Sequence, residues 1–473
     1  MEDSDTDYNW SSAYSDTDTS NIISDTNSEC ISDTNSEYSY YDPFTLDDIG
    51  EDDYIEIIND IYDLIHECFQ NNLIQLSTPT FYSNICKYVT DILYTEWEDA
   101  DICEEEHYDE ILELVEGVME TYSILCGIPQ RSIPYTINTL DKLDQSEINI
   151  LSEQIDYLKS LPQPEQRTPE WYEFRNGLIT ASNLWKVFGS QSQINSLIYE
   201  KCKSITLGPS EVRITNVNSP MHWGVKYEPV TVMLYENMYQ TKIGEFGCIQ
   251  HPTIPCIGAS PDGINIDPSS NRFGRMLEIK NIVNREITGI PKEDYWIQTQ
   301  IQMETCDLDK CDFVETRILE YPTEKAFYED TNQSHKGIIL HFIKRDMDTN
   351  DDPIYKYMPI DNELNYNSIH EWITNAKISA STEGLVLFTT IYWYVDQFSC
   401  VLIERNQEWF MKAAPKIKEV WDIIIQERTT GYEHRAAKKR IPKVFVETND
   451  ISGVHTIQNI PDTKKICLIK LDF

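Results

Sequence analysis

The first 86 residues contain no lysine or arginine; Lys87 is the first basic side chain. Residues 1–160 hold 38 acids against 4 bases, whereas the 313 residues behind them hold 42 against 34. A uniformly acidic surface repels phosphate, so a formal net charge of −42 would by itself argue against a nucleic-acid partner. Because the excess sits at the front, the objection lapses for everything behind it. Long apolar runs are also missing. The longest, Leu385–Val395, is too short for a bilayer and ends at Asp396. With no secretory h-region at the start either, a soluble, intracellular protein (host cytoplasm or nucleus if viral) with no membrane partner is expected. The 12 cysteines form no CxxC pair and no disulfide framework, so reduced thiols are expected. Cys306-x₄-Cys311, with Cys202, Cys248 and Cys256, comes nearest to iron–sulfur spacing and does not match it. No Walker A loop is present, which argues against an ATP-driven helicase.

A chain of 473 residues, 40 % of them hydrophobic, can bury a sizeable interior and predicts two or three domains. Residues 1–50 are Ser, Asp, Thr, Asn, Glu and Tyr, with Ile23-Ser-Asp-Thr-Asn-Ser-Glu29 repeated as Ile31–Glu37. Such a segment has no apolar face to bury, and a disordered acidic tail is expected; a solvated tail is favoured over a DNA mimic. From 54 to 160 the spacing of Tyr54, Ile57, Ile58, Ile61, Tyr62 and Ile65 predicts a helical module. A joint rich in Pro and Gln at 161–167 closes it. Helical and strand-like runs then alternate to 345, the pattern of an α/β domain. Residues 346–473 read as an α+β C-terminal extension: strands at Leu385–Tyr394 and Cys400–Glu404, a helix at Ala413–Gln426, and a basic loop at His434–Arg440.

The chemistry-bearing residues lie in the middle. Arg275-Met-Leu-Glu-Ile-Lys280 reads as a buried strand; alternation puts Leu277 and Ile279 on one face and Glu278 and Lys280 on the other. A carboxylate beside an ammonium can hold a divalent metal and a water together, although Glu-x-Lys alone is common. Ser260-Pro-Asp262-Gly263 presents Asp262 just past a short apolar strand, where an ordinary hairpin turn is the plainer reading. Asp262 and Glu278 are separated by a loop suited to two adjacent antiparallel strands, so their carboxylates could meet on one Mg²⁺. Glu228, in the first turns of a helix running to Tyr239, could add a third carboxylate. Ser182 reads as the N-cap of a helix over 183–188, with Arg175 nearby; together they suit a phosphate. On the helix at 294–303, Tyr295, Gln298 and Gln302 share a face.

Taken in order, Arg175/Ser182, Trp223-Gly-x₃-Glu228, Ser260-Pro-Asp262-Gly, Glu278-x-Lys280 and Tyr295-Trp-x-Gln298-x-Gln300 resemble the YqaJ family of viral recombinase nucleases. That family is similar in turn to the lambda-type alkaline exonucleases. The resemblance covers roughly 165–320 and implies a PD-(D/E)XK fold, a restriction-endonuclease-like mixed sheet flanked by helices, in a nuclease domain at 165–345. It implies Asp262 and Glu278 as Mg²⁺ ligands (Mn²⁺ as a substitute) with Glu228 added. Lys280 would hold or help deprotonate the attacking water, and Gln298 would sit against that water or the scissile phosphate. Arg175, Ser182 and Ser260 would hold a terminal 5′-phosphate. The implied reaction is hydrolysis of DNA from duplex ends, 5′→3′, for resection in recombination or replication, with a single-strand annealing protein and self-association as further partners. A structure-selective endonuclease and a silent DNA-end-binding protein are the alternatives. After Lys280 the family often continues with a small residue and Pro; this chain has Asn281-Ile-Val.

Overall fold

The computed structural model describes residues 50–437, apart from 101, 105–106, 135–141, 167, 205–215, 218 and 345–352. The repeated acidic segment and most of the basic residues of 434–440 therefore lie outside the described residues.

In the front third the 3–4 spacing of apolar residues is realised as three helices: α1 (Glu51–Asn72), α2 (Phe81–Asp99) and α3 (Tyr108–Leu125). Ile61, Ile65 and Phe69 recur every four residues on α1 and are fully buried. The Phe69 ring meets Phe81, Tyr82 and Tyr122 at 5.1–5.7 Å between centroids, which locks α1 to both partners. This helical group is fastened to the rest of the chain. A two-residue strand, β1 (Ile133–Pro134), joins the main sheet, and the Arg131 carbonyl accepts from the Trp296 indole at 3.0 Å. Helix α4 (Gln145–Ser160) starts with a reciprocal capping box between Asp144 and Glu147.

Behind α4 come α5 (Pro169–Asn176), β2 (Ile179–Thr180), α6 (Ala181–Leu184), α7 (Gln191–Cys202) and α8 (Pro220–Tyr239). The short strands β3 (Ile243–Gly244), β4 (Ile249–Gln250), β5 (Ile257–Ala259) and β6 (Gly263–Asn265) lead into β7 (Met276–Asn281). Then follow α9 (Glu293–Cys306), β8 (Lys310–Glu320), α10 (Glu324–Glu329), β9 (Lys336–Lys344), β10 (Ile354–Tyr357), α11 (Tyr366–Thr382), β11 (Leu385–Glu404) and α12 (Gln407–Thr430). The main sheet runs β10-β9-β11-β8-β7-β6-β3, with β1 on β11; β7 and β8 pair in parallel and the other neighbours are antiparallel. A second sheet has the order β2-β5-β4. The mixed α/β architecture is thus as expected.

The expected boundary at 345/346 runs through this sheet. Strands expected separately at Leu385–Tyr394 and Cys400–Glu404 form one 20-residue strand, β11, which lies between β8 and β9. The polar stretch that broke the pattern is a bulge: pairing with β8 shifts register between Val395 and Gln397, at Asp396. The C-terminal segment therefore supplies a central strand, and α12 packs behind α7 and α9. No helix among the described residues is long and apolar enough to cross a membrane.

Candidate active site

Strand β7 divides its side chains as the alternation predicts. Leu277 and Ile279 enter a core with Tyr235 of α8, Val314 of β8 and Cys400 of β11. Glu278 and Lys280 face α9. Glu278 is only 1 % exposed, and a buried carboxylate needs donors. It has three: the Lys280 ammonium and Gln298 Nε2 (2.7 Å) on Oε1, and Gln302 Nε2 (2.7 Å) on Oε2. Gln298 and Gln302 are one helical turn apart, so one face of α9 grips both oxygens. Tyr295, on the same face, puts its ring 4.8 Å from Lys280 Nζ. Of this stripe, readable as a partly exposed helix face, Gln298 and Gln302 are buried and Tyr295 is half-buried. Gln300 turns the other way, donating to the Glu404 carbonyl and accepting from Asn406 N–H.

Asp262 reaches the same place from a turn that is not a hairpin. Its Ser-Pro-Asp-Gly segment carries the chain from β5 in the small sheet to β6 in the large one. Gly263 is required because a Cβ there would meet Ile243 Cγ2 at 2.2 Å. Gly263 is opposite Leu277 in the antiparallel β6–β7 pair, so Asp262 comes out beside Glu278. Asp262 Oδ2 accepts the Ile279 N–H at 2.7 Å. Burial, then the Glu278 and Glu228 carboxylates, push the Asp262 carboxyl well above its ordinary range, against Lys280 and that N–H. Glu228, in the third turn of α8, stands at the solvent mouth of this group. Partial burial and Glu278 raise its carboxyl too; its exposure makes this the weaker effect. For Lys280, burial favours the neutral amine, but Glu278 and Asp262 outweigh it and hold the ammonium above its usual value.

Among the described residues no three His, Cys, Asp or Glu side chains are already gathered as a metal cage. The donor set nevertheless fits a hard divalent cation. Two carboxylates leave adjacent antiparallel positions with a third at the mouth; Glu278 and Glu228 disfavour charge on Asp262, and Glu278 disfavours it on Glu228, which a cation would relieve. Gln302 Oε1 is buried beside them without a hydrogen-bond partner.

The three residues expected around a phosphate are brought together only in part. Thr180 of β2 is opposite Gly258 of β5 in a parallel pair, so Ser182 and Ser260 leave that pair on neighbouring tracks. Ser182 is not the N-cap. The helix starts two residues earlier than expected, at Ala181, Thr180 takes the cap position, and the Ser182 hydroxyl lies 3.3 Å from that of Thr180. The Ser260 carbonyl accepts from Gln302 at 3.3 Å, which ties this edge to Glu278. Arg175, in the last turn of α5, lays its guanidinium 4.4 Å over the Trp171 ring, and no hydrogen bond among the described residues joins it to either serine. The C-terminal carbonyls of α5 are capped from a distance: Lys201 Nζ donates to the Arg175 carbonyl (2.9 Å) and Arg428 of α12 to that of Asn176 (2.6 Å). Sequence reasoning missed both cations. Asn281, where the sequence departs from the usual small-residue-Pro continuation, accepts from Thr231 of α8 (2.9 Å) and Thr316 of β8 (2.7 Å). It staples the end of β7 to its neighbours.

Comparison with known proteins gives four findings. The chain is 29 % identical over 305 residues to an uncharacterized protein of Acanthamoeba polyphaga mimivirus; the match covers 57 % of this chain and 54 % of the relative, so the chain spans about half that protein's length. Among solved structures, an alkaline exonuclease from Laribacter hongkongensis is 20 % identical, covering 56 % of this chain and 97 % of its own, with a TM-score of 0.34. The same exonuclease in complex with dAMP is 19 % identical with a TM-score of 0.33, at the same coverage. Residues 170–309, which include every site residue expected from the sequence, match the model of the YqaJ-like viral recombinase domain.

Proposed function

We propose that this chain is a divalent-metal-dependent deoxyribonuclease with a PD-(D/E)XK centre at Asp262, Glu278 and Lys280, acting 5′→3′ from duplex ends. One observation carries the reading. Within the segment that matches the YqaJ-like domain, Asp262 and Glu278 stand on facing positions of antiparallel strands, with Lys280 donating to Glu278. Asp262 and Glu278, with Glu228 at the mouth, would hold Mg²⁺, or Mn²⁺ in its place. A bound ion of this kind polarises the phosphoryl group and lowers the pKa of its water. The chain's own residues do the rest. Lys280, held as an ammonium by two carboxylates, steadies charge on the phosphoryl oxygens rather than taking a proton from water. Gln298, committed to Glu278 and Lys280, acts by fixing those two groups rather than by meeting the scissile phosphate. Arg175, Ser182 and Ser260 are assigned to the 5′-phosphate; of these, the two serines have the better supported placement. DNA end resection in recombination, with an annealing protein and self-association, fits this assignment.

The test is purified protein with Mg²⁺ on linear, covalently closed and 5′-dephosphorylated duplex. Linear 5′-phosphorylated DNA should be degraded and closed circles spared. Lys280→Ala should lose roughly 10²–10³-fold in rate. Cleavage of closed circles would favour an endonuclease. No cleavage of any DNA, or full activity in Lys280→Ala, would remove the catalytic assignment.

A further inference from the structure

Beside the N-terminal end of α9 lies a cavity of about 370 Å³ that the metal centre does not use. Its walls include Trp185, Phe188, Gln193, Lys292, Asp294 and Ile297. We propose that this cavity receives the nucleobase of the strand's terminal nucleotide, with Trp185 as its stacking surface. The proposal rests on the nuclease reading and adds a subsite to it.

Position is the first argument. Trp185 follows Ser182 by three residues on α6 and its 3-10 continuation, Trp185–Val187. Residues three apart on such a turn share a face, roughly 5–6 Å from one another. A terminal nucleotide with its phosphate at Ser182 and Ser260 therefore has its base within reach of Trp185. On the other side of the cavity, Asp294 lies one turn before Gln298, so the slot adjoins the helix face that grips Glu278.

The lining chemistry narrows the occupant. Trp185 and Phe188 offer flat apolar walls, and Phe188 is backed by the Trp409 ring at 5.7 Å. Glu293 and Asp294 outnumber Lys292 at the rim, which disfavours a second phosphate or any other anion. Glu293 is held by the Ser77 hydroxyl at 2.9 Å. Asp294 makes no hydrogen bond among the described residues and can accept from an exocyclic amine. A neutral, planar, donor-bearing heterocycle suits all of this. The volume admits a base, and stacking on Trp185 takes the terminal base out of its pair, at the small cost of opening a helix end.

The experiment compares 5′-phosphorylated duplexes that end in adenine or in an abasic residue, and adds a metal-free binding arm with a 2-aminopurine end. Stacking on an aromatic side chain predicts that wild type prefers the adenine end by roughly tenfold or more in kcat/KM. The preference should collapse to near unity in Trp185→Ala and recover in Trp185→Phe. With EDTA, wild type should quench 2-aminopurine and Trp185→Ala should not. Equal rates on both ends, or quenching that persists in Trp185→Ala, would overturn the base slot while leaving the nuclease intact. A chain that cuts no DNA but still quenches through Trp185 would overturn the nuclease reading and leave the slot standing.

Discussion

Gln302 Nε2 donates to Glu278 Oε2 at 2.7 Å and also reaches the Ser260 carbonyl at 3.3 Å. One amide thus couples the proposed metal ligand to the edge proposed for the phosphate. Groups that orient a ligand are typically worth 10–100-fold in metal affinity or activity. Gln302→Leu, close in volume and unable to donate, should cost about that factor in kcat/KM and raise the Mg²⁺ concentration needed for half-activity. Thermal unfolding would check that the fold survives. Unchanged activity and an unchanged Mg²⁺ midpoint would mean that Lys280 and Gln298 suffice to hold Glu278.

Asp262 carries a cost that its proposed function requires. Its carboxyl is pushed up by burial and by Glu278 and Glu228, the reverse of the usual salt-bridged aspartate. Raising pH through the window above the unfolded carboxyl value, about 3.9, makes the unfolded chain release a proton that the folded chain retains. Metal-free protein should therefore lose stability across that window. Asp262→Asn keeps an acceptor for the Ile279 N–H and removes the charge. The metal-free variant should melt higher than wild type near pH 7, cut no DNA, and lose most of the Mg²⁺-induced rise in Tm. A variant less stable than wild type without metal would show that Asp262 is a structural residue.

How much of this was legible depends on how local each feature is. The period of two on β7 separated Glu278 and Lys280 from Leu277 and Ile279, and the helical period put Tyr295, Gln298 and Gln302 together. Both are properties of consecutive residues. What the sequence hid was long-range pairing. Leu385–Glu404 reads as two strands because Asp396 interrupts it, and nothing local says that β8 pairs across the interruption, from Trp393 to Glu404. Ser182 reads as a cap because Ser caps well, yet β2 ends at Thr180 in its pairing with β5, which fixes the helix start two residues earlier. Arg428 lies 252 residues from the carbonyl it caps. Gln302 was visible on the right face, but only the folded β7 shows that Glu278 has an oxygen left for it.

The other side of the sheet is held by charge as well as by packing. Asp312 of β8, fully buried, pairs with both Arg272 and Arg275 and accepts from the Tyr235 hydroxyl. Removing one member of a buried ionic set leaves the others uncompensated, at about 3–5 kcal/mol. Asp312→Asn should lose that much in chemical denaturation. Because Asp312 is opposite Leu277 in the β7–β8 register, the variant should also reduce activity near its melting point. A loss below about 1 kcal/mol would mean that the two arginines find other acceptors.

Lys201 links stability to the proposed phosphate site. It is 7 % exposed, and burial pushes its ammonium down to about 8, with Arg175 and Arg428 adding to the fall and Glu200 opposing it. Between about pH 8 and 10.5 the unfolded chain binds a proton that the folded chain lacks, so this group makes stability rise with pH across that window. Below it the burial costs roughly 3 kcal/mol. Lys201→Met removes the cost, so the variant's advantage over wild type should be largest near pH 7 and shrink toward pH 11. Taking the difference between the two proteins cancels the tyrosines that titrate in the same range. The same substitution deletes the donor to the Arg175 carbonyl, leaving the end of α5 to Arg428 alone. A protein that gains stability should therefore discriminate less between 5′-phosphorylated and dephosphorylated ends. If the stability difference is flat with pH, Lys201 titrates normally. If discrimination is unchanged, its bond to Arg175 does not position the phosphate site.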